Sequence, residues 1–156
     1  MKIFISNLIF FDDNSFEYYQ GYHELAWYFL ALYRDEKEDL LNGVMVFQRY
    51  SEFYIKPFNK NCEYSNLVQI VDQIIKLSNK AVYDDIRSNF DESFMFCLQW
   101  ILCSFTHNIH NPAVAYGILD YIIASHPRVI FFLSAQVLIQ IYLGNNSNIP
   151  YIENKQ

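Results

Sequence analysis

The sequence predicts an all-α domain with no β-sheet. The strongest indication is segment 65–78, where apolar residues recur at intervals of three and four, the spacing of one helix face. No segment alternates apolar and polar residues with the period of two that half-buried strands show. The 156 residues include only 4 Gly and 4 Pro, too few for the frequent turns of a sandwich or barrel. Hydrophobic residues make up 53% of the chain, enough for one core.

Two helices are predicted in the first half of the chain. Segments 23–33 and 40–51 both carry apolar residues at helical spacing. Between them stand six consecutive charged residues, 34–39, which we assign to a solvated connection. Pro57 and the polar run 59–61 mark the longest predicted loop.

Segment 65–78 is the next predicted helix, and it is amphipathic. Its apolar face is formed by aliphatic side chains, namely Leu67, Ile70, Val71, Ile74 and Ile75. Asp72 falls on the opposite, polar face. Segment 94–107 follows and is apolar on nearly every side, which is typical of a central helix.

Two further helices are predicted toward the C-terminus. Asn111 is an N-cap residue followed by Pro112 at the first helical position, and this helix extends to about Ser125. Pro127 opens the last helix, which continues through Gln140.

The net charge argues against a nucleic-acid-binding protein. Lysine and arginine number 11 against 17 acidic residues, so the formal charge is −6 and no basic surplus displaces counterions from phosphates. The apolar N-terminal run is followed by Asp12-Asp13 instead of the small residues of a secretory cleavage site. The sequence therefore predicts a chain that is not secreted.

The cysteines and the longest apolar stretch point to the cytoplasm. Cys62, Cys97 and Cys103 are an odd number without a secretory signal, which indicates free thiols in a reducing compartment. The apolar stretch 129–143 is shorter than a membrane span and contains two glutamines. We therefore expect no transmembrane segment in this chain.

One spacing raises the question of a metal site. Cys103, His107 and His110 would share one face of a helix, because they are separated by four and three residues. Zinc requires three or four such ligands, and the sequence positions no fourth. Asn111 and Pro112 also end the helix near His110. We interpret these residues as a buried cysteine and two helix-end histidines, and predict neither a metal nor a cofactor.

Pairs of adjacent acidic residues occur at Asp12-Asp13, Asp84-Asp85 and Asp91-Glu92. Adjacent residues point to different faces, and we expect all three pairs at helix starts or loop turns, where negative charge is favourable. The sequence contains no GxSxG, P-loop or GxGxxG motif and no Cys/His nucleophile arrangement. It therefore predicts no hydrolase, kinase or dehydrogenase.

Segment 16–25 places Gln20 and Gly21 among aromatic residues, directly before an apolar helix. Because glycine permits backbone conformations that other residues avoid, this pair predicts a tight turn that projects an amide side chain. In the alternative interpretation, Gly21 is an ordinary turn residue and the tyrosines belong to the core.

Three motifs occur in a fixed order along the chain. They are YQGYHEL at 19–25, FCLQWILCSF at 96–105, and ILDY at 118–121 with ASHP at 124–127. In this order they resemble the YxQG signature, the tryptophan-containing helix and the following helix pair of TBC domains, the all-helical domains that activate Rab GTPases. The YYQGYH sequence and the Ser-His-Pro junction resemble the endoplasmic-reticulum-anchored branch of that family. The resemblance is strongest over 16–142.

The resemblance implies a role for Gln20. In the family, a glutamine finger orients the attacking water in the GTPase site, and an arginine neutralises charge on the transferred phosphoryl group. Gln20 matches the glutamine finger, Tyr19 and Gly21 match the residues that shape its turn, and Trp100 matches a buried tryptophan of the structural core. Mg-GTP is carried by the partner GTPase. The chain would thus be a GTPase activator, and not an enzyme with its own substrate.

No residue matches the family's arginine finger. That arginine lies upstream of the glutamine in an IxxDxxR motif, whereas the 18 residues before Tyr19 contain no arginine. The arginines of this chain all lie downstream, at Arg34, Arg49, Arg87 and Arg128. Gln99 precedes Trp100 where many members have arginine. The resemblance therefore implies a single partial TBC domain over residues 1–156, corresponding to the C-terminal two-thirds.

Three interpretations follow from the match. The chain belongs to a genuine Rab activator in vesicle trafficking whose arginine is encoded upstream, or it is a catalytically inactive Rab-binding protein, or it is a helical scaffold. The branch it resembles implies a Rab-family partner of the Rab1 type. The same resemblance implies a location at the cytosolic face of the endoplasmic reticulum or Golgi.

Overall fold

The structure, a computed structural model, describes residues 18–33, 37–56, 63–89 and 94–145. Within these ranges it contains seven α-helices and no β-strand, so the predicted all-α class is confirmed there. The helices are α1 (Tyr22–Ala31), α2 (Lys37–Tyr50), α3 (Tyr64–Ser78), α4 (Lys80–Asn89), α5 (Cys97–Leu102), α6 (Pro112–Ile123) and α7 (Val129–Asn145). A π-helical turn, Ser51–Ile55, continues α2.

Several features predicted from the sequence lie outside the described residues. They are Arg34, the loop at Pro57 and 59–61, Cys62, and the acidic pairs Asp12-Asp13 and Asp91-Glu92. The helix α2 begins at Lys37, inside the charged run that we assigned to a connection, so that connection is shorter than predicted.

The helices α1 and α2 pack against each other through aromatic side chains. Phe29 lies between Phe47 and Tyr50, with ring centroids 5.3 Å and 4.9 Å apart, and Tyr22 contacts Phe47 at 5.0 Å. All four are buried. The part of the core between α1 and α2 is therefore built from contacts between large aromatic rings.

The helix α3 is the centre of the second half, where it contacts α4, α5 and α7. Val71 and Ile75 of α3 are fully buried. In α7, Ser134 is fully buried and Phe131 is almost fully buried. The apolar stretch that forms α7 is thus a core helix with one exposed face. In the described part of the chain, no helix has both the length and the apolar character to cross a membrane.

The buried face of α3 is rotated from the predicted one. Asp72, which we placed on the polar face, is buried, and Ile70, which we placed on the apolar face, is 42% exposed. The Asp72 carboxylate accepts hydrogen bonds from the Arg87 guanidinium and the Tyr83 hydroxyl of α4. Because α4 brings a cation and a phenol to this face, a carboxylate is satisfied inside the domain.

The helix α4 was not predicted. It begins after Asn79, whose side-chain oxygen accepts a hydrogen bond from the Val82 N–H at 3.1 Å. That N-cap is the signal in the sequence that indicates the helix. Asp84 and Asp85 lie in its middle, so our assignment of this pair to a helix start or loop turn is wrong.

The helix α5 is much shorter than the segment 94–107 from which we predicted it. It ends at Leu102, and the chain then turns through two non-glycine residues with positive φ, Ser104 (φ 50°) and Phe105 (φ 65°). The Phe105 N–H donates to the Trp100 carbonyl at 3.0 Å, which closes the helix end. We call residues 103–108 the platform turn.

The start of α6 follows the predicted capping, whereas α7 begins later than predicted. The Asn111 side chain accepts a hydrogen bond from the Ala113 N–H at 3.0 Å, with Pro112 at the start of α6, as predicted. The helix α7 begins at Val129 instead of Pro127, because the His126 ring accepts the Arg128 N–H at 3.2 Å and the chain is still turning there.

Candidate functional site

Gln20 occupies an exposed position in a turn whose neighbouring residues are both buried. The Tyr22 N–H donates to the Tyr19 carbonyl at 3.3 Å, which closes a four-residue turn over 19–22 that we call the glutamine turn. Gly21 has φ 100° and ψ −19°, the left-handed conformation that glycine adopts at the third position of a type II turn. Gly21 is also the N-cap of α1. The predicted tight turn is therefore present and presents the amide to solvent.

Tyr19 anchors the glutamine turn on its N-terminal side. Its hydroxyl donates to the Leu102 carbonyl at 2.5 Å, and its ring meets Tyr22 edge-on with centroids 5.6 Å apart. Burial raises the pKa of this phenol well above its usual range, with a smaller contribution from the nearby Cys103 thiol. The hydroxyl therefore remains a hydrogen-bond donor at neutral pH.

Gly21 anchors the turn on its other side by close packing. A Cβ added at this position would overlap the Cys103 sulfur. Burial raises the pKa of the Cys103 thiol to about 11, with a smaller contribution from the Glu24 carboxylate. Cys103 therefore acts as a small, neutral packing residue against the backbone of Gly21.

The platform turn is itself held by side-chain hydrogen bonds. The hydroxyls of Ser104 and Tyr50 are 2.6 Å apart and buried, which links the turn to α2. The Thr106 hydroxyl donates to the Cys103 carbonyl at 2.6 Å. These bonds offset the strain of the two positive φ angles.

Two exposed contacts lie beside the glutamine turn. His107 Nδ1 of the platform turn lies 2.5 Å from Glu24 Oε2 in the first turn of α1. The Tyr18 hydroxyl is hydrogen-bonded to His23 Nδ1 at 2.8 Å. Tyr18, His23 and Glu24 lie within four residues of Gln20 in the sequence, and His107 belongs to the platform turn.

Trp100 is half-buried, whereas the sequence analysis expected full burial. Its indole packs against the core and stacks on Phe105, with centroids 5.4 Å apart and an interplanar angle of 19°. Phe96 meets it edge-on at 5.7 Å. Trp100 thereby covers the positive-φ segment of the platform turn.

The residues considered for a metal site do not share a helix face. The helix α5 ends before Cys103, which packs on Gly21, while His107 pairs with Glu24. Throughout the described ranges, no three His, Cys, Asp or Glu side chains are grouped closely enough to hold a metal ion.

Two of the three arginines in the described part of the chain, Arg49 and Arg87, pair with carboxylates. Arg49 on α2 is 78% exposed in its side chain and lies 3.4 Å from Glu52. Arg87 binds the buried Asp72. Arg128 precedes α7 and is exposed. Residues 1–19, which precede Gln20, contain no arginine.

The exposed polar group that this turn presents is the side-chain amide of Gln20. A primary amide donates and accepts at once, so it can orient a water molecule for attack on a bound ligand. Its backbone is held by Tyr19 and Gly21, both of which we singled out from the sequence. Leu102, which accepts from Tyr19, and Cys103, which packs on Gly21, are contributions that the sequence did not reveal. They lie about 80 positions away, and no local pattern relates them to the turn.

Comparisons with known proteins agree with the motif analysis. The family described as the Rab-GTPase-TBC domain matches residues 7–143. The GTPase-activating protein gyp10 of Schizosaccharomyces pombe is 25% identical over 122 residues, which cover 78% of this chain and 32% of that protein. The chain thus spans about a third of the length of this curated relative. No solved structure gives a significant match. The chain therefore belongs to the Rab-GTPase-TBC domain family.

Proposed function

We propose that this chain is part of a GTPase-activating protein for Rab-family GTPases and that Gln20 is its glutamine finger. The observation that carries the proposal is the geometry of the glutamine turn. Gln20 is exposed, while Tyr19 before it and Gly21 after it are buried, and these two are held by Leu102 and by Cys103 of the platform turn. An amide on such a restrained turn enters a partner's active site at a small cost in conformational entropy.

The proposed chemistry is orientation of the water that attacks the γ-phosphate. The Gln20 carbonyl accepts a hydrogen bond from that water and its amide group donates to a phosphate oxygen, which is positioning without covalent chemistry. The partner GTPase carries the Mg-GTP. In this mechanism the chain is a regulator of the GTPase and has no substrate of its own.

Membership of the family and the sequence of the gyp10 relative support a small GTPase as partner. The YYQGYH and Ser-His-Pro sequences support the narrower proposal of a Rab1-type GTPase at the cytosolic face of the endoplasmic reticulum or Golgi, in vesicle trafficking. A panel of purified Rab GTPases tests this choice, since a Rab1-type member should respond most strongly.

A second candidate is a Rab-binding protein that does not stimulate hydrolysis. The specific observation in its favour is that none of the arginines in residues 1–156, all of which follow Gln20, matches the family's arginine finger, which supplies about 10³–10⁵ in rate. A helical scaffold that binds no GTPase is the third.

We predict that Gln20→Ala abolishes stimulation of GTP hydrolysis and leaves the fold unchanged, because the side chain is exposed. The measurement is single-turnover hydrolysis by the GTPase panel, with circular dichroism as the check on folding. Gln140→Ala, which removes an exposed glutamine of α7, is the matched control and should retain full activity. Equal activity in Gln20→Ala and the wild type would remove Gln20 from the mechanism.

Affinity for the GTPase separates the candidates where hydrolysis is too slow to detect. A glutamine finger contacts the transition state, so Gln20→Ala should weaken binding to the GDP–aluminium fluoride form more than binding to the GTP-analogue form. Equal weakening of both forms would indicate a binding role only. No binding of either form by the wild-type chain would favour the scaffold.

A further inference from the structure

The contact between Glu24 and His107 joins two parts of the chain that both touch the glutamine turn. We propose that this pair is a positioning device, which fixes the orientation of the glutamine turn relative to the platform turn. The inference deepens the proposed function and rests on it for its kinetic consequence. The contact itself is a hydrogen bond in which the His107 Nδ1–H donates to Glu24 Oε2 at 2.5 Å.

Glu24 is connected to the glutamine turn through one backbone hydrogen bond. The Glu24 N–H donates to the Gly21 carbonyl at 3.0 Å, and the Leu25 N–H donates to the same carbonyl at 3.1 Å. A displacement of Glu24 therefore affects the position of Gly21, the residue directly after Gln20.

His107 belongs to the segment that already holds the glutamine turn at two other points. Leu102, which precedes the platform turn, accepts the hydroxyl of Tyr19, and Cys103 packs on Gly21. Those two restraints act on the buried side. The Glu24–His107 pair lies in contact with solvent, with both side chains 40% exposed, and Gln20 is exposed as well.

Because the Glu24–His107 pair is exposed, we expect its removal to affect the start of α1 and not the stability of the whole domain. Exposed ion pairs and hydrogen bonds contribute little to global stability, because water competes for both partners. Removing the pair should therefore leave the unfolding transition almost unchanged. The same change should increase local opening of the backbone at the start of α1. This separation distinguishes a positioning role from a structural one.

The first test is amide hydrogen exchange in His107→Ala. His107 is the better residue to change, because Glu24 also stabilises the N-terminus of α1 through the helix dipole. The amides of Tyr22, Glu24 and Leu25 should exchange about two- to fivefold faster, the range expected for an exposed pair. His107→Asn keeps an N–H donor bonded to Cγ, as Nδ1 of histidine is, so the three α1 amides should exchange at the wild-type rate in this variant.

Arg49→Ala provides the matched control, since it removes another exposed pair, that with Glu52. It should leave the exchange of the three α1 amides unchanged. Unchanged exchange in His107→Ala would overturn the proposal. A uniform acceleration over the whole chain would also overturn it, because it would indicate general destabilisation. The same applies if the three α1 amides exchange as fast in His107→Asn as in His107→Ala.

The second test is kinetic and uses the Rab GTPase that responds to the wild-type chain. His107→Ala should lower the maximal stimulated hydrolysis rate about threefold while the affinity for the GTP-bound GTPase stays the same. A changed affinity with an unchanged maximal rate would overturn the positioning role. If the wild-type chain neither binds nor stimulates any GTPase, the proposed function fails, whereas the exchange experiment still decides whether the pair orients the turn.

Discussion

Gly21 combines two requirements at a single residue. Its φ of 100° is accessible to glycine and strained for other residues, and a Cβ added to it would overlap the Cys103 sulfur. Either requirement alone selects glycine. Together they make the residue after Gln20 the most restrictive position of the glutamine turn.

We predict that Gly21→Ala lowers the free energy of unfolding by about 2–4 kcal/mol, from backbone strain and overpacking together. Urea unfolding followed by circular dichroism measures the loss. Adding Cys103→Ala removes the sulfur that the new methyl group overlaps, so the double variant should recover part of the stability that Gly21→Ala loses.

Gly117 provides the control for this prediction. It lies in α6, where an added Cβ meets no atom within 4 Å. Gly117→Ala should therefore raise the free energy of unfolding by about 0.5–1 kcal/mol, because alanine is the better helix former. If both glycine variants changed stability in the same direction, the structure assigned to Gly21 would be wrong.

At the scale of elements, the platform turn determines where α5 ends and which residues pack against the glutamine turn. The sequence of 94–107 is apolar on nearly every side, and such a pattern cannot show where a helix ends. The end is produced by tertiary contacts: Ser104 bonds to Tyr50, and Phe105 stacks on Trp100. These contacts hold two residues in a backbone conformation that costs energy in isolation.

We predict that Trp100→Ala lowers the free energy of unfolding by about 2–4 kcal/mol, less than for a fully buried tryptophan because part of the indole already faces solvent. The protein should remain folded at low temperature. Thermal unfolding measures the effect. Phe132→Ala removes an aromatic side chain that is 60% exposed and should cost about 1 kcal/mol or less. Equal losses in the two variants would contradict the role of Trp100 on the platform turn.

At the scale of the whole molecule, hydrogen bonds from tyrosines join the two halves of the helical core. Tyr28 donates to the Ile109 carbonyl and accepts from Tyr116 through its own carbonyl, and Tyr54 donates to the Ile123 carbonyl. These partners are 69 to 88 residues apart in sequence. The hydroxyls of these tyrosines thereby satisfy carbonyl groups in partly buried and exposed positions.

The buried thiols predict how stability depends on pH. Burial raises the pKa of Cys97 from 9.0 to about 12 and that of Cys103 from 9.0 to about 11. The folded protein therefore retains these protons at pH values where the unfolded chain has lost them. Since fewer protons are bound in the unfolded state, the free energy of unfolding should fall as pH rises from about 9 to 11, by at most about 1.4 kcal/mol per pH unit for each thiol.

Urea unfolding between pH 7 and pH 11 measures this decline, and full stability is expected below about pH 8. Cys97→Ala removes one of the two thiols and should give a shallower decline than the wild type. A flat profile between pH 9 and 11 would show that the thiols are not buried as the structure has them.

The sequence alone allowed the helices with strong local signals to be predicted. Segment 65–78 became α3 with a change of one residue at its start, and Asn111 caps α6 as expected. The face that α3 buries could not be predicted, because Asp72 is buried only where Arg87 of α4 meets it. The end of α5 was missed for a related reason, since it depends on contacts with distant residues.

The sequence by itself determined the helical class, the family and the position of Gln20 in a turn between Tyr19 and Gly21. The helical class and the turn depend on residues close together in the chain, whose periodicity and backbone preferences act locally, and the family follows from the order of three motifs along the chain. The tertiary structure alone decided that Leu102, Cys103 and the platform turn hold that turn in place. These residues contact it across more than 80 positions, and only the packing of the helices brings them together.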